Sequence, residues 1–383
     1  MASSFSRAQE VADGRRLTRW IVGTVAAGFG LLLIVAAVAA TQPWLDRHFL
    51  PSFFLPRVWY VRIETLVRVA IAAAGALIIF GRSQVARWAT RAPVTALLVG
   101  AAVALAIAAS ELALRTVHLR PTEWLVPDEE PRRQPDAQLG WVLAPGRVGR
   151  AVVGGRTIDY AIDHHGYRVR RDGEPVDVER PVMVFAGESV MFGEGLAWTE
   201  SIPAQAGARL DAATANIAVH GYSTDQIYLR LARELPRFRQ PLAVVSIFMT
   251  ELFGRNLDDD RPHLGPGLVW HPAQRAPRLA ALAGLLAPYR REQTVEDGIR
   301  NTREVLHATV MLAQERHAAP LVVVPQFGRE DEIQRALRER ILADIPQVVV
   351  PLDPDWRLPW DRHPNARAAQ AIAAAIAARL RRP

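Results

Sequence analysis

Three residues in this chain have the types and surroundings of a nucleophile, a base and an orienting acid. Ser189 lies in the run Gly187-Glu188-Ser189-Val190-Met191-Phe192-Gly193-Glu194-Gly195, directly after the apolar stretch Val182 to Ala186. Small residues at that point allow a sharp strand-to-helix turn, which leaves a hydroxyl exposed for attack on a carbonyl. A phosphate-cradling loop is the competing reading, but no Lys follows as a P-loop requires and the dinucleotide spacing is absent. Far along the chain, Trp360-Asp361-Arg362-His363-Pro364-Asn365 precedes the Ala-rich stretch Ala366 to Leu380. Pro364 holds His363 at a helix start, and Asp361 two residues earlier suits an acid that orients a general base. Asp361 taken alone also reads as a helix-start cap. Together, in the chain order Ser, Asp, His, the groups point to hydrolase chemistry through a covalent intermediate.

Such groups need a rigid carrier. From Pro181 onwards short apolar runs alternate with helical periods: Val182 to Ala186, Ala215 to Ala218, Leu242 to Phe248, Leu321 to Pro325 and Val348 to Leu352. Strands apolar throughout are buried on both faces, so five of them separated by helices predict a parallel α/β sheet between helical layers. Ligands gather at the carboxyl ends of such strands, and Ser189 follows the first. Upstream, Ala151 to Val153 and Thr157 to Ile162 alternate around Gly154 and Gly155, which predicts a β-hairpin. Residues 116–140, rich in Pro, Glu and Arg and ending near Gln134 to Trp141, read as a linker.

The sequence resembles the SGNH or GDSL superfamily of esterases and acyltransferases over about residues 135–383. Gly187-Glu188-Ser189 is similar to its first block, with Glu188 in place of the usual Asp. Asn216 to Gln226 is similar to the second block, and the resemblance implies the backbone N–H of Gly221 as an oxyanion donor. Asp361 and His363 match the last block, and Ile162 to Arg168 resembles the run upstream of the nucleophile in many bacterial members. A three-layer, flavodoxin-like α/β/α sandwich is implied. The third block departs from the pattern. The family's Asn, a side-chain oxyanion donor beyond strand three, is replaced by Thr250-Glu251, with Asn256 about two turns late. Thr250 and Asn256 are both candidates for that donor.

Between Phe253 and Glu292 lies an insertion with Asp258, Asp259, Asp260, Trp270 and the apolar run Leu279 to Leu286. Long loops at strand ends usually carry function. The acids read mainly as a solvated charge run, with sugar or cation contact as the alternative; the apolar run reads as a packed helix, a cap or a membrane-facing patch.

Residues 1–115 are of another kind. Trp20 to Leu45 and Ala92 to Ser110 carry no charge, and each is long enough for a hydrocarbon core of about 30 Å. Val69 to Gly81 reaches that length only by including Arg62, Glu64 and Arg68, whose arginines can snorkel beside Trp59 and Tyr60. Three spanning helices are therefore expected. Arg7, Arg15, Arg16 and Arg19 before the first, with Arg82, Arg87 and Arg91 after the second, favour a cytoplasmic N-terminus, which puts residues 116–383 outside. A cleaved signal peptide competes for the first helix, with Ala37, Ala39 and Ala40 as a small-residue site, but its apolar region is long for one.

Composition narrows the classes further. The 383 residues are 50% hydrophobic with no cysteine, which excludes thiol catalysis, disulfide scaffolds and cysteine zinc sites. The net charge of +7 could suit nucleic acid, but the arginines are scattered rather than interleaved with aromatics in one stripe, so no nucleic-acid partner is expected. The expected protein is an anchored bacterial inner-membrane esterase, its domain extracytoplasmic and its substrates acyl esters of envelope carbohydrate or lipid. It needs no metal or organic cofactor. The alternatives are an O-acyltransferase on an envelope polysaccharide and a non-catalytic scaffold among polysaccharide assembly proteins.

Overall fold

The computed structural model describes residues 2–50, 57–117, 123, 129–274, 276–286, 288–359 and 362–381. It divides into a helical unit, residues 1–48 and 55–117, and an α/β unit, residues 49–54 and 118–383.

The helical unit contains α1 (Ala2–Ala39), α2 (Gln42–His48), α3 (Arg57–Arg91) and α4 (Pro93–Ala113). Three segments are long and apolar enough to cross a membrane, Arg16–Ala39, Arg57–Arg91 and Val94–Thr116. The first helix stops at Ala39 rather than running to Leu45, because Pro43 opens the short α2. The doubtful middle stretch is one continuous helix. Its Arg68 Nε donates to Ala37 O at 3.0 Å, which satisfies a terminal carbonyl of α1, while Glu64 accepts from Gln42 at 2.9 Å. α1 and α3 meet where Gly30 faces Gly75; a Cβ on Gly75 would sit 2.5 Å from Gly30 O. Small residues permit such close backbone approach between apolar helices.

The α/β unit begins with β1 (Arg133–Asp136), β2 (Gly140–Leu143), β3 (Val148–Val153), β4 (Arg156–Ile162) and β5 (Arg168–Val169). Next come β6 (Pro181–Phe185), α5 (Ser189–Phe192), α6 (Ile202–Leu210), β7 (Ala213–Asn216), α7 (Thr224–Glu234) and β8 (Gln240–Ile247). The insertion supplies β9 (His263–Gly265), β10 (Val269–His271) and α8 (Arg278–Leu286), followed by α9 (Glu292–Glu315), β11 (Ala319–Phe327), α10 (Glu332–Ile341), β12 (Gln347–Leu352) and α11 (Ala366–Leu380). An eight-stranded sheet has the order β12-β11-β8-β6-β7-β5-β4-β3. Its first five strands are parallel and the last three antiparallel, so the predicted hairpin, β3 and β4, extends the edge of the predicted parallel sheet. β1 and β2 form a separate hairpin whose Trp141 and Leu143 are fully buried. Residues 133–140, the end of the expected linker, therefore contribute to the folded unit.

The parallel strands run in the spatial order second, first, third, fourth, fifth, the flavodoxin-like arrangement. β6 sits where the chain passes first to one side, to β7, and then to the other, to β8. Val182 to Phe185 are buried, and helices α6 with α11, and α7 with α9 and α10, pack as two layers around the sheet. The carboxyl end of β6 is thus the switch point at which ligands bind in open α/β sheets.

Arg168 ties the hairpin side of the sheet to that point. Its fully buried guanidinium donates to Phe192 O and Gly193 O at 2.7 Å and to Leu196 O at 2.6 Å, between the rings of Tyr160 and Phe192. These bonds satisfy the carbonyls that end α5. Burial pulls the Arg168 guanidinium down to about 10, and it remains a cation at neutral pH. Removing it leaves Leu196 O without a donor, takes one of two donors from Phe192 O and Gly193 O, which keep Asn216 Nδ2 and Leu196 N–H, and opens a buried void, so Arg168→Met is expected to destabilise the α/β unit by about 3 kcal/mol. Thermal unfolding should fall by roughly 6–12 °C.

Candidate active site

Ser189 is the first residue of α5, one turn long, and opens where β6 ends. A longer side chain at Gly187 is barred: a Cβ there would lie 2.4 Å from Met191 Cβ. Glu188 caps the helix, accepting from Val190 N–H at 3.0 Å and from Ser189 Oγ at 2.6 Å. His363 Nε2 lies 2.8 Å from the same Oγ, so the serine and histidine expected from sequence meet across 174 residues of chain. Glu194 Oε2 lies 3.7 Å from His363 Nε2 at the rim. Asp361, the expected orienting acid, and Trp360 lie outside the described residues.

Between β12 and α11, Arg357 and Pro364 form an antiparallel bridge beside His363. Leu358 N–H donates to His363 O at 2.8 Å, and Asn365 N–H to Trp356 O at 3.0 Å. Asn365 Oδ1 accepts from Arg367 and Ala368 N–H, capping α11. Arg357 braces the loop, donating to Arg362 O at 2.5 Å, lying 3.8 Å from the Phe327 ring and pairing with Glu251 at 3.4 Å. Glu251, the acidic neighbour in the altered third block, thereby links the end of β8 to the histidine loop. Burial raises the Glu251 carboxyl, against the pull of Arg357 and Arg362.

Gly221 belongs to the loop after β7, with φ +83, a left-handed conformation suited to glycine. The loop is pinned from behind. Trp141 Nε1 donates to His220 O at 3.1 Å, Arg261 donates to Gly221 O, and Arg255 donates to Tyr222 O at 3.2 Å. In a trans peptide the carbonyl and the following N–H point in opposite directions. Fixing His220 O on Trp141 therefore turns the Gly221 N–H away from the core, as an oxyanion donor requires.

The structure separates the two side-chain candidates of the third block. Asn256 Oδ1 accepts from Thr224 N–H at 2.9 Å, and its Nδ2 donates to Thr224 Oγ1 at 3.0 Å and Thr302 Oγ1 at 2.9 Å. Its amide is used up in joining the 3₁₀ helix Thr250–Leu257 to α7 and α9, so Asn256 is a rivet and not an oxyanion donor. Thr250 is buried at the start of that helix, and among the described residues its hydroxyl makes no hydrogen bond. In the insertion, Asp258 pairs with Arg261 at 3.0 Å, the arginine that holds Gly221.

Comparison with known proteins adds distant likenesses. No protein-family model matches the chain, and no curated protein matches it. Among solved structures it is similar to a protein described as lipolytic, of the G-D-S-L family, from Desulfitobacterium hafniense, at 14% identity and TM-score 0.35, over 52% of this chain and 98% of that one. An acetyl xylan esterase from Butyrivibrio proteoclasticus is similar at 12% identity and TM-score 0.35, over 54% and 65%. A member of the lipolytic G-D-S-L family from Veillonella parvula is similar at 12% identity and TM-score 0.31, over 51% and 96%.

Three residues around the Gly221 loop were given no role by the motifs: Trp141, His220 and Arg255. His220 is 6% exposed, lies edge-on to Phe192, and burial pushes its pKa well below 6.5, with Arg133, His363 and Arg255 adding to the effect. It is neutral in the folded state, whereas an unfolded histidine gains a proton below about 6.5. The unfolded state thus binds more protons in acid, and stability falls as pH drops through that value by up to about 1.4 kcal/mol per pH unit. Urea unfolding at pH 7.5 and pH 5.5 should show a smaller loss for His220→Gln than for the wild type. Trp141→Phe keeps the ring but orphans His220 O; turnover should fall about tenfold, the worth of one hydrogen bond, with KM little changed.

Proposed function

We propose that this protein is a membrane-anchored serine ester hydrolase of the SGNH kind, with its α/β domain outside the cytoplasm. The observation that carries the reading is the 2.8 Å contact of Ser189 Oγ with His363 Nε2 at the switch point of a parallel sheet. The Ser189 hydroxyl turns its proton from Glu188 to His363, and Ser189 attacks the ester carbonyl as His363 takes that proton. The alcohol leaves with that proton, and water releases the acyl group by the reverse sequence. Ser189 N–H, at the start of α5, and Gly221 N–H hold the oxyanion, and Asp361 orients His363 as the resemblance implies. The chemistry asks for no metal or organic cofactor.

Three spans with the arginine-rich ends of α1 and α3 kept inside favour an extracytoplasmic domain. Acyl esters on envelope carbohydrate or lipid are the substrates within its reach. Acyl transfer to a sugar hydroxyl uses the same groups, and product analysis with and without an acceptor sugar distinguishes it from hydrolysis.

Ser189→Ala and His363→Ala should each abolish nearly all ester hydrolysis by the purified full chain. The double variant should be little worse than either, since groups acting as one unit are not additive. Full turnover by folded Ser189→Ala protein contradicts the covalent route. A reporter active only outside the cytoplasm, fused after Pro383, should be active; a silent reporter in a well-expressed fusion contradicts the location.

A further inference from the structure

Arg255 brings a positive charge to the loop that carries Gly221, and among the described residues no ion pair holds it. It sits on the 3₁₀ helix Thr250–Leu257, after the strand end where the family pattern places a donating Asn. Among the described residues its guanidinium makes one hydrogen bond, to Tyr222 O at 3.2 Å, and no carboxylate lies within 4.0 Å of it. That bond fastens it to the residue after Gly221. Burial lowers its pKa, against the charges of Glu188, bonded to Ser189 Oγ, of Glu194, beside His363 Nε2, and of Asp258. Asn256 fixes its position, since the next side chain is bonded to both α7 and α9. A half-buried cation without a close partner is costly, and a fold that retains one near a nucleophile gains when negative charge develops there.

We infer that Arg255 supplies the side-chain oxyanion contact of this site, replacing the neutral amide of the family pattern with a charge. The inference rests on the hydrolase reading of Ser189. When the Oγ–C bond forms, the carbonyl π pair moves onto oxygen and the hydroxyl proton goes to His363 Nε2. The resulting alkoxide takes N–H donation from Ser189, Gly221 and a free guanidinium nitrogen of Arg255. Collapse restores the carbonyl, breaks the bond to the leaving oxygen and returns the proton from His363 to that oxygen. Arg255 stays protonated throughout, and its interaction is strongest when the substrate oxygen is fully anionic. A neutral ester in the ground state gains little from it, so the effect belongs in kcat.

The test uses the full chain in detergent with p-nitrophenyl acetate, which carries no charge for Arg255 to recognise in the ground state. Arg255→Ala should lower kcat about 100-fold with KM within about twofold, the size expected for loss of one oxyanion donor. Arg255→Lys should recover about tenfold of that loss, because it restores charge with poorer geometry. Phenylboronic acid, which becomes a tetrahedral anion on the serine, should bind Arg255→Ala more weakly by a factor close to the loss in kcat. Arg255→Gln, which can still donate to Tyr222 O, serves if thermal unfolding shows the alanine variant misfolded. A folded variant with kcat within threefold of an active wild type, or one whose whole defect lies in KM, overturns the assignment. A folded wild type that hydrolyses no ester at all overturns the hydrolase reading instead.

Discussion

The hydrogen bond between Ser189 and His363 is the constraint on which the rest of the α/β unit depends. Its partners lie 174 residues apart, and the bond closes only if β6 and the turn after β12 open at the same end of the sheet. A parallel sheet guarantees that shared end. The serine is held by Glu188 in front of α5 and by Arg168 behind it; the histidine is held by Arg357 and by the cap of Asn365 on α11. Several of these braces are charged and buried. Each is worth most through the penalty of leaving its partner unsatisfied, so the site is fixed more firmly than any one bond would suggest.

The proposed oxyanion side follows the same logic. The loop from His220 to Ser223 has no regular structure, yet Trp141, Arg261 and Arg255 hold its carbonyls and Asn256 holds Thr224 N–H where α7 begins. Carbonyls bound from behind leave the Gly221 N–H turned the other way. Trp141 arrives on the β1–β2 hairpin, before the strands that the nucleophile motif announces. The insertion contributes through Asp258 and Arg261, so residues outside the sheet hold the Gly221 loop in place.

The strands of the parallel sheet were legible because strands buried on both faces read as unbroken apolar runs, and Ser189 and His363 because each follows or precedes a clear element boundary. The β1–β2 hairpin was not legible. Arg133 to Asp136 contains no apolar alternation, and only the tertiary burial of Trp141 and Leu143 makes it part of the core. Asn256 offered the right chemical type, but sequence distance cannot show that its amide is consumed by Thr224 and Thr302. Arg255 hid among 46 basic residues, since its bond to Tyr222 O and the lack of a close carboxylate among the described residues exist only in three dimensions. In the helical unit, charge-free runs showed two spans directly. The third needed Arg68 and Glu64, whose bonds to Ala37 and Gln42 explain how a helix containing them packs beside α1.

The central claim is that Ser189 is a nucleophile activated by His363, and covalent labelling tests it most directly. Purified full-length protein is treated with a serine-reactive organophosphate, digested and mapped by mass spectrometry. The account predicts one adduct per chain, on Ser189, with the rate of labelling falling by at least a hundredfold in folded His363→Ala protein. Labelling spread over several surface hydroxyls, or a Ser189 adduct that forms equally fast without His363, would contradict it.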